Sequence, residues 1–238
     1  MKQIRQRMLF VTGTDTGVGK TVLTVRLLRE LRASGQKAIA LKPFCSGDRD
    51  DVRKIWEEIQ GERTIEELNP FYSSKPVAPG VAYFAKTRKK SPNIREILSK
   101  IKKSSEGYDW VIVEGVGGLL VPLTRHILVR DLIQALRYPV VVVARDQLGT
   151  INHSLLTVFE LLRLQIPVNA LVLMENFEKD FSQSSNQNVI SQLIEGLNVV
   201  KFPKLGKWPN LATKTKRDET FLKITLANLW RPRIVWPR

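Results

Sequence analysis

A single cysteine, Cys45, is all the thiol chemistry carried by 238 residues. One cysteine excludes an intrachain disulfide and fits a reducing, cytoplasmic setting. With no base motif beside it, Cys45 reads as a small passive residue rather than a nucleophile. Histidine is nearly as scarce, with two residues. His126 takes no assignment, and His153, one turn into an amphipathic stretch, reads as a packing or hydrogen-bonding residue. No apolar run approaches the roughly 18 residues that would span a bilayer, so no membrane partner is expected. The basic start, MKQIRQRMLFVTG, reaches a glycine after about five apolar residues, too few for a signal peptide. Acidic residues are also short: 23 Asp and Glu face 38 Lys and Arg, a surplus of +15 and a pI near 10.1. A pI above 9 raises nucleic-acid binding. Yet residues 201–238 hold ten Lys or Arg against Asp218 and Glu219, and Lys2, Arg5 and Arg7 add to the other end. The surplus is therefore mostly terminal. It lacks the interleaved aromatics of a stacking platform. It reads as a solvated basic surface of the lysine-rich kind thermophiles favour, with no nucleic-acid partner.

What is present is an ordinary folded composition, 43% apolar and 26% charged. Neither internal repeat nor linker is visible, so residues 1–238 are expected to form one domain with a basic tail at about 230–238. Met8–Val11 is a short buried strand ending in Thr12-Gly13. Thr21–Ala33 then sets Val22, Val25, Leu28 and Leu31 on one helical face before Gly35. Ala38–Leu41, Trp110–Val113, Val168–Leu173 and Val199–Phe202 read as further strands. Pro139–Ala144 (PVVVVA) is β-branched on both faces, as a covered parallel strand requires. Helices are predicted at Asp51–Ile59, Asn93–Lys103, Val129–Leu136, Ile151–Leu164 and Asn188–Gly196. The alternation predicts an α/β fold: a doubly wound, mainly parallel sheet of about seven strands with helices on both faces. Ligands in such sheets bind beyond the carboxyl ends of the strands. Thr12–Thr21, Lys42–Ser46, Glu114–Gly118 and Glu175-Asn176 each directly follow a strand.

The first of these carries the most chemistry. Gly13-Thr-Asp-Thr-Gly-Val-Gly-Lys20-Thr21 lies between the first strand and the first helix. Glycines let backbone N–H groups turn inward around phosphate oxygens, Lys20 reaches the terminal phosphates, and the Thr21 hydroxyl can ligate Mg²⁺. The spacing is one residue longer than the usual P-loop.

The segment Phe10 to Thr21 resembles the fingerprint of the dethiobiotin synthetases, whose loop carries the same extra residue. Leu41-Lys-Pro43 through Ser46-Gly47 is similar to the family's Lys-Pro-x-x-Ser/Thr-Gly block. Val113-Glu-Gly-Val-Gly-Gly118 and Leu148-Gly-Thr-Ile-Asn-His153 resemble two more, in family order and within residues 8–176. The resemblance implies a P-loop NTPase fold and a Mg-ATP-dependent cyclo-ligase. That enzyme would convert 7,8-diaminononanoate, CO₂ and ATP to dethiobiotin, ADP and phosphate through a carbamate and a carbamic-phosphoric anhydride.

The resemblance also implies roles. The catalytic set would be Lys42, Lys20 and Thr16, with Lys42 neutralising carbamate and γ-phosphate as an electrostatic stabiliser. ATP would be held by Asp15, Gly17, Val18, Gly19, Lys20, Thr21, Val22, Asp51, Glu114, Gly115, Val116 and Gly117. Asn176 and Phe177, with Asn176 reading the adenine edge, and Pro203, Lys204 and Leu205 would complete that site. Mg²⁺ would sit on Thr21, Asp51 and Glu114; Asp48 and Asp50 compete with Asp51, which is chosen because it opens a helix. Glu114, if not a metal ligand, could be satisfied by the amides of Gly115–Gly118. Ser46 would contact substrate, and Gly149, Thr150, Ile151 and Asn152 would bind its carboxylate across a homodimer interface.

Three features depart from the family. Ala78-Pro79-Gly80 stands where the family has Ala-Pro-His, no substrate-capping tyrosine is evident among Ser182–Gln192, and the tail Trp230–Arg238 is unlike it. Two alternatives share the loop. A ParA/MinD-like switch ATPase carries a second early lysine where Thr14 and Asp15 stand, and a corrinoid amidoligase brings a glutaminase Cys and His that residues after 200 do not offer.

Overall fold

The computed structural model describes residues 6–84, 91–175 and 180–206, together with residues 209, 210, 216, 219 and 229. Eight strands are described: β1 Arg7–Gly13, β2 Ala38–Leu41, β3 Phe44–Ser46, β4 Phe71–Ser73, β5 Trp110–Glu114, β6 Val140–Asp146, β7 Val168–Glu175 and β8 Val199–Phe202. The helices are α1 Lys20–Ala33, α2 Asp50–Glu58, α3 Ile65–Leu68, α4 Pro79–Phe84, α5 Ile94–Ser105, α6 Val129–Leu136, α7 Thr150–Arg163 and α8 Asn186–Leu193.

Among the described residues six strands form one parallel sheet in the order β2-β5-β1-β6-β7-β8, and β3 and β4 pair separately. Its centre needs cover on both faces, and the sequence supplies it. Every residue from Val140 to Ala144 is fully buried, as are Leu9, Phe10, Val11 and Val111–Val113. Each such Val, Ile or Leu contributes about 1.5–3 kcal/mol through burial. From β1 the chain crosses through α1 toward β2, whereas from β6 it crosses through α7 toward β7 in the opposite direction. Right-handed crossovers running opposite ways put α1 and α7 on opposite faces.

Consecutive strands of the sheet are not always neighbours. β2 does not lie beside β1, because β5 inserts between them, pairing with β1 on one edge and β2 on the other. Local periodicity identifies strands but carries no information on their order. The pairing sets Val11 opposite Glu114. The carboxyl ends of β1, β2 and β5 thus converge on one edge, the place where ligands bind in such sheets. The small β3–β4 sheet was also not anticipated. Its strands are three residues each, too short to show alternation, and they are held by stacking of Phe44 on Phe71 with centroids 4.7 Å apart. Hydrogen bonds from buried Asn69 to the Lys42 and Pro43 carbonyls, at 2.8 and 3.2 Å, fix the exit from β2.

Candidate active site

At the end of β1 the chain turns through Thr14–Gly19 and enters α1 at Lys20. Gly17 and Gly19 take φ of 71° and 100°, which a side chain rarely adopts. A Cβ on Gly19 would also sit 3.0 Å from Met174 Cε. α1 starts without a side-chain cap and without an acid in its first turn. Its leading N–H groups are therefore free to meet an anion. The buried Lys20 ammonium curls back over the loop, donating to the carbonyls of Asp15 at 2.8 Å and Gly117 at 3.0 Å. Burial lowers its pKa to about 8, with Glu114 opposing that shift and Lys42 adding to it.

Beside the loop lies a buried ionic cluster. Glu114, the last residue of β5, is 1% exposed, and its Oε1 accepts from Thr21 Oγ1 at 2.7 Å and from Lys42 Nζ at 2.6 Å. Lys42 Nζ also donates to Asp51 Oδ2 at 2.7 Å. Burial pulls the Lys42 pKa down, but the carboxylates of Glu114 and Asp51 outweigh it and hold the ammonium above its ordinary value. For Asp51 burial acts upward, and the Lys42 charge overrides it, keeping the carboxyl below its ordinary range.

Glu114 Oε2 is buried with no hydrogen-bond partner. An orphaned carboxylate oxygen is costly unless something neutralises it. With Thr21 Oγ1 and Asp51 it makes a set of hard oxygen donors that suits Mg²⁺. No group of three or more His, Cys, Asp or Glu is gathered for a metal among the described residues. Phosphate oxygens and waters would have to complete the shell, as is usual for Mg²⁺.

Two cavities share this loop. One of about 560 Å³ is walled by Thr16, Lys20, Thr21, Lys42, Cys45, Ser46, Asp51, Val116 and Gly117, with Pro76–Pro79 opposite. The other, of about 460 Å³, runs along Val18, Val25, Arg145, Met174 and Glu175 to Pro203, Lys204, Leu205 and Gly206. Gly17, Gly19, Thr21, Val22 and Lys54 belong to both walls. The first has room for phosphates and a small substrate, and the second has the apolar character a base requires.

The structure brings most of the expected residues together. Lys20, Thr21, Lys42, Asp51 and Glu114 form the cluster, with Thr16, Ser46, Val116 and Gly117 around it. Asp51 faces Lys42, whereas Asp50 turns to Arg53 and Asp48 accepts from the Asp50 amide. Asp15 is exposed, and its Oδ1 accepts from Thr16 N at 2.6 Å. Gly115 packs where a Cβ would meet the Phe10 ring at 3.0 Å. The Gly115–Gly118 amides do not satisfy Glu114, whose partners are Thr21 and Lys42. Asn176, Phe177 and the tail at 230–238 lie outside the described residues. Gly149, Thr150, Ile151 and Asn152 open α7 but line neither cavity. His153 does not pack into the fold; it is exposed, and its backbone carbonyl accepts from Thr157 Oγ1.

Gly80 gains a reason. Its N–H donates to the Pro122 carbonyl at 2.7 Å, and a Cβ there would sit 2.8 Å from both that oxygen and Pro122 Cβ. The space an imidazole would take is filled by the Pro122 backbone. Sequence reasoning missed Lys54, Arg145 and Met174. Arg145 and Met174 lie at the carboxyl ends of β6 and β7, so the strand-end rule applied to every strand would have found both.

A glycine-rich loop of this construction on the central strand of a parallel sheet defines a P-loop nucleoside triphosphatase. Solved structures agree on the fold. A plasmid partition protein of Borrelia burgdorferi B31 bound to AMPPNP superposes with a TM-score of 0.60 at 10% identity, covering 95% of this chain and 98% of that one. A ParA family ATPase of Chlorobium tepidum TLS gives 0.55 at 12% identity, covering 93% and 99%. The AAA_26 family, described as an AAA domain, matches residues 7–216. The chain is 37% identical over 215 residues to the ATP-dependent dethiobiotin synthetase of Bacillus subtilis strain 168, covering 88% of this chain and 90% of that one. It is 39% identical over 166 residues to that of Methanococcus vannielii, covering 70% and 78%. The chain belongs to the dethiobiotin synthetase family, whose members are ATP-dependent ligases.

Proposed function

We propose that this chain closes the cyclic urea of dethiobiotin from 7,8-diaminononanoate, CO₂ and ATP, with the roles carried by the cluster around Lys42. The observation that carries the reading is that Lys42, Ser46, Asp51 and the phosphate loop share the wall of one cavity. A ligase of this kind must hold two anions, a carbamate and a triphosphate, in line and neutralise both.

One substrate amine adds to CO₂ and loses a proton, giving the carbamate. A carbamate oxygen attacks the γ-phosphorus, and the bridging bond to ADP breaks. The second amine then attacks the carbamate carbon, the C–O bond to phosphate breaks, and phosphate leaves with the ring closed. Lys20 would neutralise charge on the β- and γ-phosphates. Lys42 would do so between γ-phosphate and carbamate, and Ser46 and Thr16 would orient oxygens. Thr21, Asp51 and Glu114 would hold Mg²⁺, which when bound supplies charge neutralisation for the transferring phosphoryl group.

The substrate carboxylate would meet the Gly149–Asn152 turn of a second copy. Two features support that arrangement. The turn opens α7 without a side-chain cap, and the apolar residues nearby are unusually exposed: Leu148 at 81%, Leu156 at 64% and Phe181 at 98%. Such a patch marks an interaction site. Relatives of this fold that switch rather than ligate would hydrolyse ATP without the diamine. The test is phosphate release with ATP, Mg²⁺, bicarbonate and diaminononanoate, expected only when all four are present. Release independent of the diamine would refute the ligase reading. Sedimentation should show a dimer, and Leu156→Asp should yield monomers with a raised KM for the diamine.

A further inference from the structure

We propose that Lys54 is a further nucleotide-binding residue, its ammonium pairing with the ATP phosphate chain at the point where the two cavities meet. The inference rests on the ATP site proposed above and adds a residue to it.

Position is the first argument. Lys54 stands three residues after Asp51 on α2, so the two share a helix face. Asp51 is turned to the cavity by Lys42. Val52 and Ile55, fully buried, fix α2 against the body of the fold and leave Lys54 half-buried at the rim. Lys54 belongs to the wall of both cavities, with Thr21 and Val22 at the start of α1. Lys20 and Lys42 mark the terminal-phosphate end, and Met174 and Pro203–Gly206 mark the base end. Lys54 therefore faces the middle of a nucleotide spanning them, at the α- and β-phosphates.

Charge is the second argument. Every other cation-bearing residue on these walls is already engaged with the protein. Lys20 donates to two carbonyls, Lys42 bridges Glu114 and Asp51, and an Arg145 guanidinium N–H donates to the Gly17 carbonyl at 3.0 Å. Lys204 gives its backbone N–H to Glu175. Among the described residues the Lys54 side chain makes no hydrogen bond and no close ion pair, and its charge reaches the protein as a through-space pull on the Asp51 carboxylate. The two carboxylates and the two lysines of the cluster balance each other, so a magnesium-bound triphosphate would bring negative charge with no surplus cation to meet it. Lys54 supplies that surplus on a four-carbon stem long enough to follow the phosphates.

Isothermal titration of ATP, ADP and adenosine into the full chain and into Lys54→Ala tests this. Affinity for ATP and ADP should fall about tenfold in the variant, as for loss of one charge-assisted hydrogen bond. Adenosine affinity, thermal midpoint and KM for the diamine should be unchanged, and Lys54→Arg should recover most of the loss. The variant's ATP affinity should also depend less on ionic strength. Unchanged ATP affinity would overturn the proposal, and so would an equal loss for adenosine or an effect confined to the diamine. If the wild type binds ATP through Lys54 yet leaves the diamine untouched, the ligase reading fails while this one stands. Dethiobiotin formation with Lys54→Ala binding ATP normally gives the converse.

Discussion

Removing Lys42 should expose how much of the site's chemistry is also folding energy. Lys42 holds two carboxylates, but they are not equivalent. The Glu114 side chain is 0% exposed and Asp51 is 43% exposed, against 4% for Lys42. The Asp51 contact is screened by solvent and contributes about 1 kcal/mol at most. The Glu114 contact is different, because Lys42→Met would leave a buried carboxylate with Thr21 as its sole donor. Breaking a buried pair from one side costs about 3–5 kcal/mol. Glu114→Gln should cost a similar amount by stranding the ammonium against Asp51 alone. The double variant removes both charges and should be more stable than the sum of the two losses predicts, by roughly 1.5–3 kcal/mol of coupling. Urea unfolding followed by circular dichroism measures all four corners of this cycle, and activity is read on the same samples. All three variants should lose diamine-dependent turnover, since the stabilising charge is worth about a hundredfold or more. Additivity within about 0.5 kcal/mol would refute the reasoning, for it would mean that Lys42 and Glu114 do not share one desolvated interaction.

Further predictions concern the loop and the departure at residue 80. Because burial lowers Lys20 to about 8, its ammonium is lost as pH rises through that value. A triphosphate needs the charged form, so ATP affinity should fall about tenfold between pH 7 and 9, with proton uptake on binding detectable by calorimetry in buffers of different ionisation enthalpy. An affinity flat across that range would contradict the shift. Gly80→His, which restores the family's residue type, should not help. Its Cβ meets the Pro122 carbonyl, and overpacking of this kind lowers stability by about 1–3 kcal/mol, seen as an earlier urea midpoint.

Much of this was legible in the residues because the physics was local. Runs such as Pro139–Ala144 announce a covered strand by composition alone, and the phosphate loop announces itself by glycine spacing. Glu114 could be singled out because a carboxylate ending a buried strand demands a partner. What was not legible depends on distant pairing. Nothing near Ala38–Leu41 says that β5 will lie between it and β1, and nothing in Phe44–Ser46 or Phe71–Ser73 says that they will pair. Lys54 and Arg145 were hidden by abundance: among 38 basic side chains, only position distinguishes the ones facing a cavity. Gly80 looked like a missing imidazole until the Pro122 backbone was seen to occupy its place.

The pairing of Val11 with Glu114 turns strand register into a ruler for the active site. A slip of one residue between β1 and β5 would carry the Glu114 carboxylate about 3.3 Å along the sheet and turn it to the opposite face. Thr21 would then lose its Glu114 partner, and Lys42 would keep only Asp51. The spacing of the cluster's atoms is thus set by the fully buried Val111, Ile112 and Val113 rather than by the glycine-rich loop. Selection on the proposed Mg²⁺ ligands would accordingly be felt deep in the core, at positions that line neither cavity.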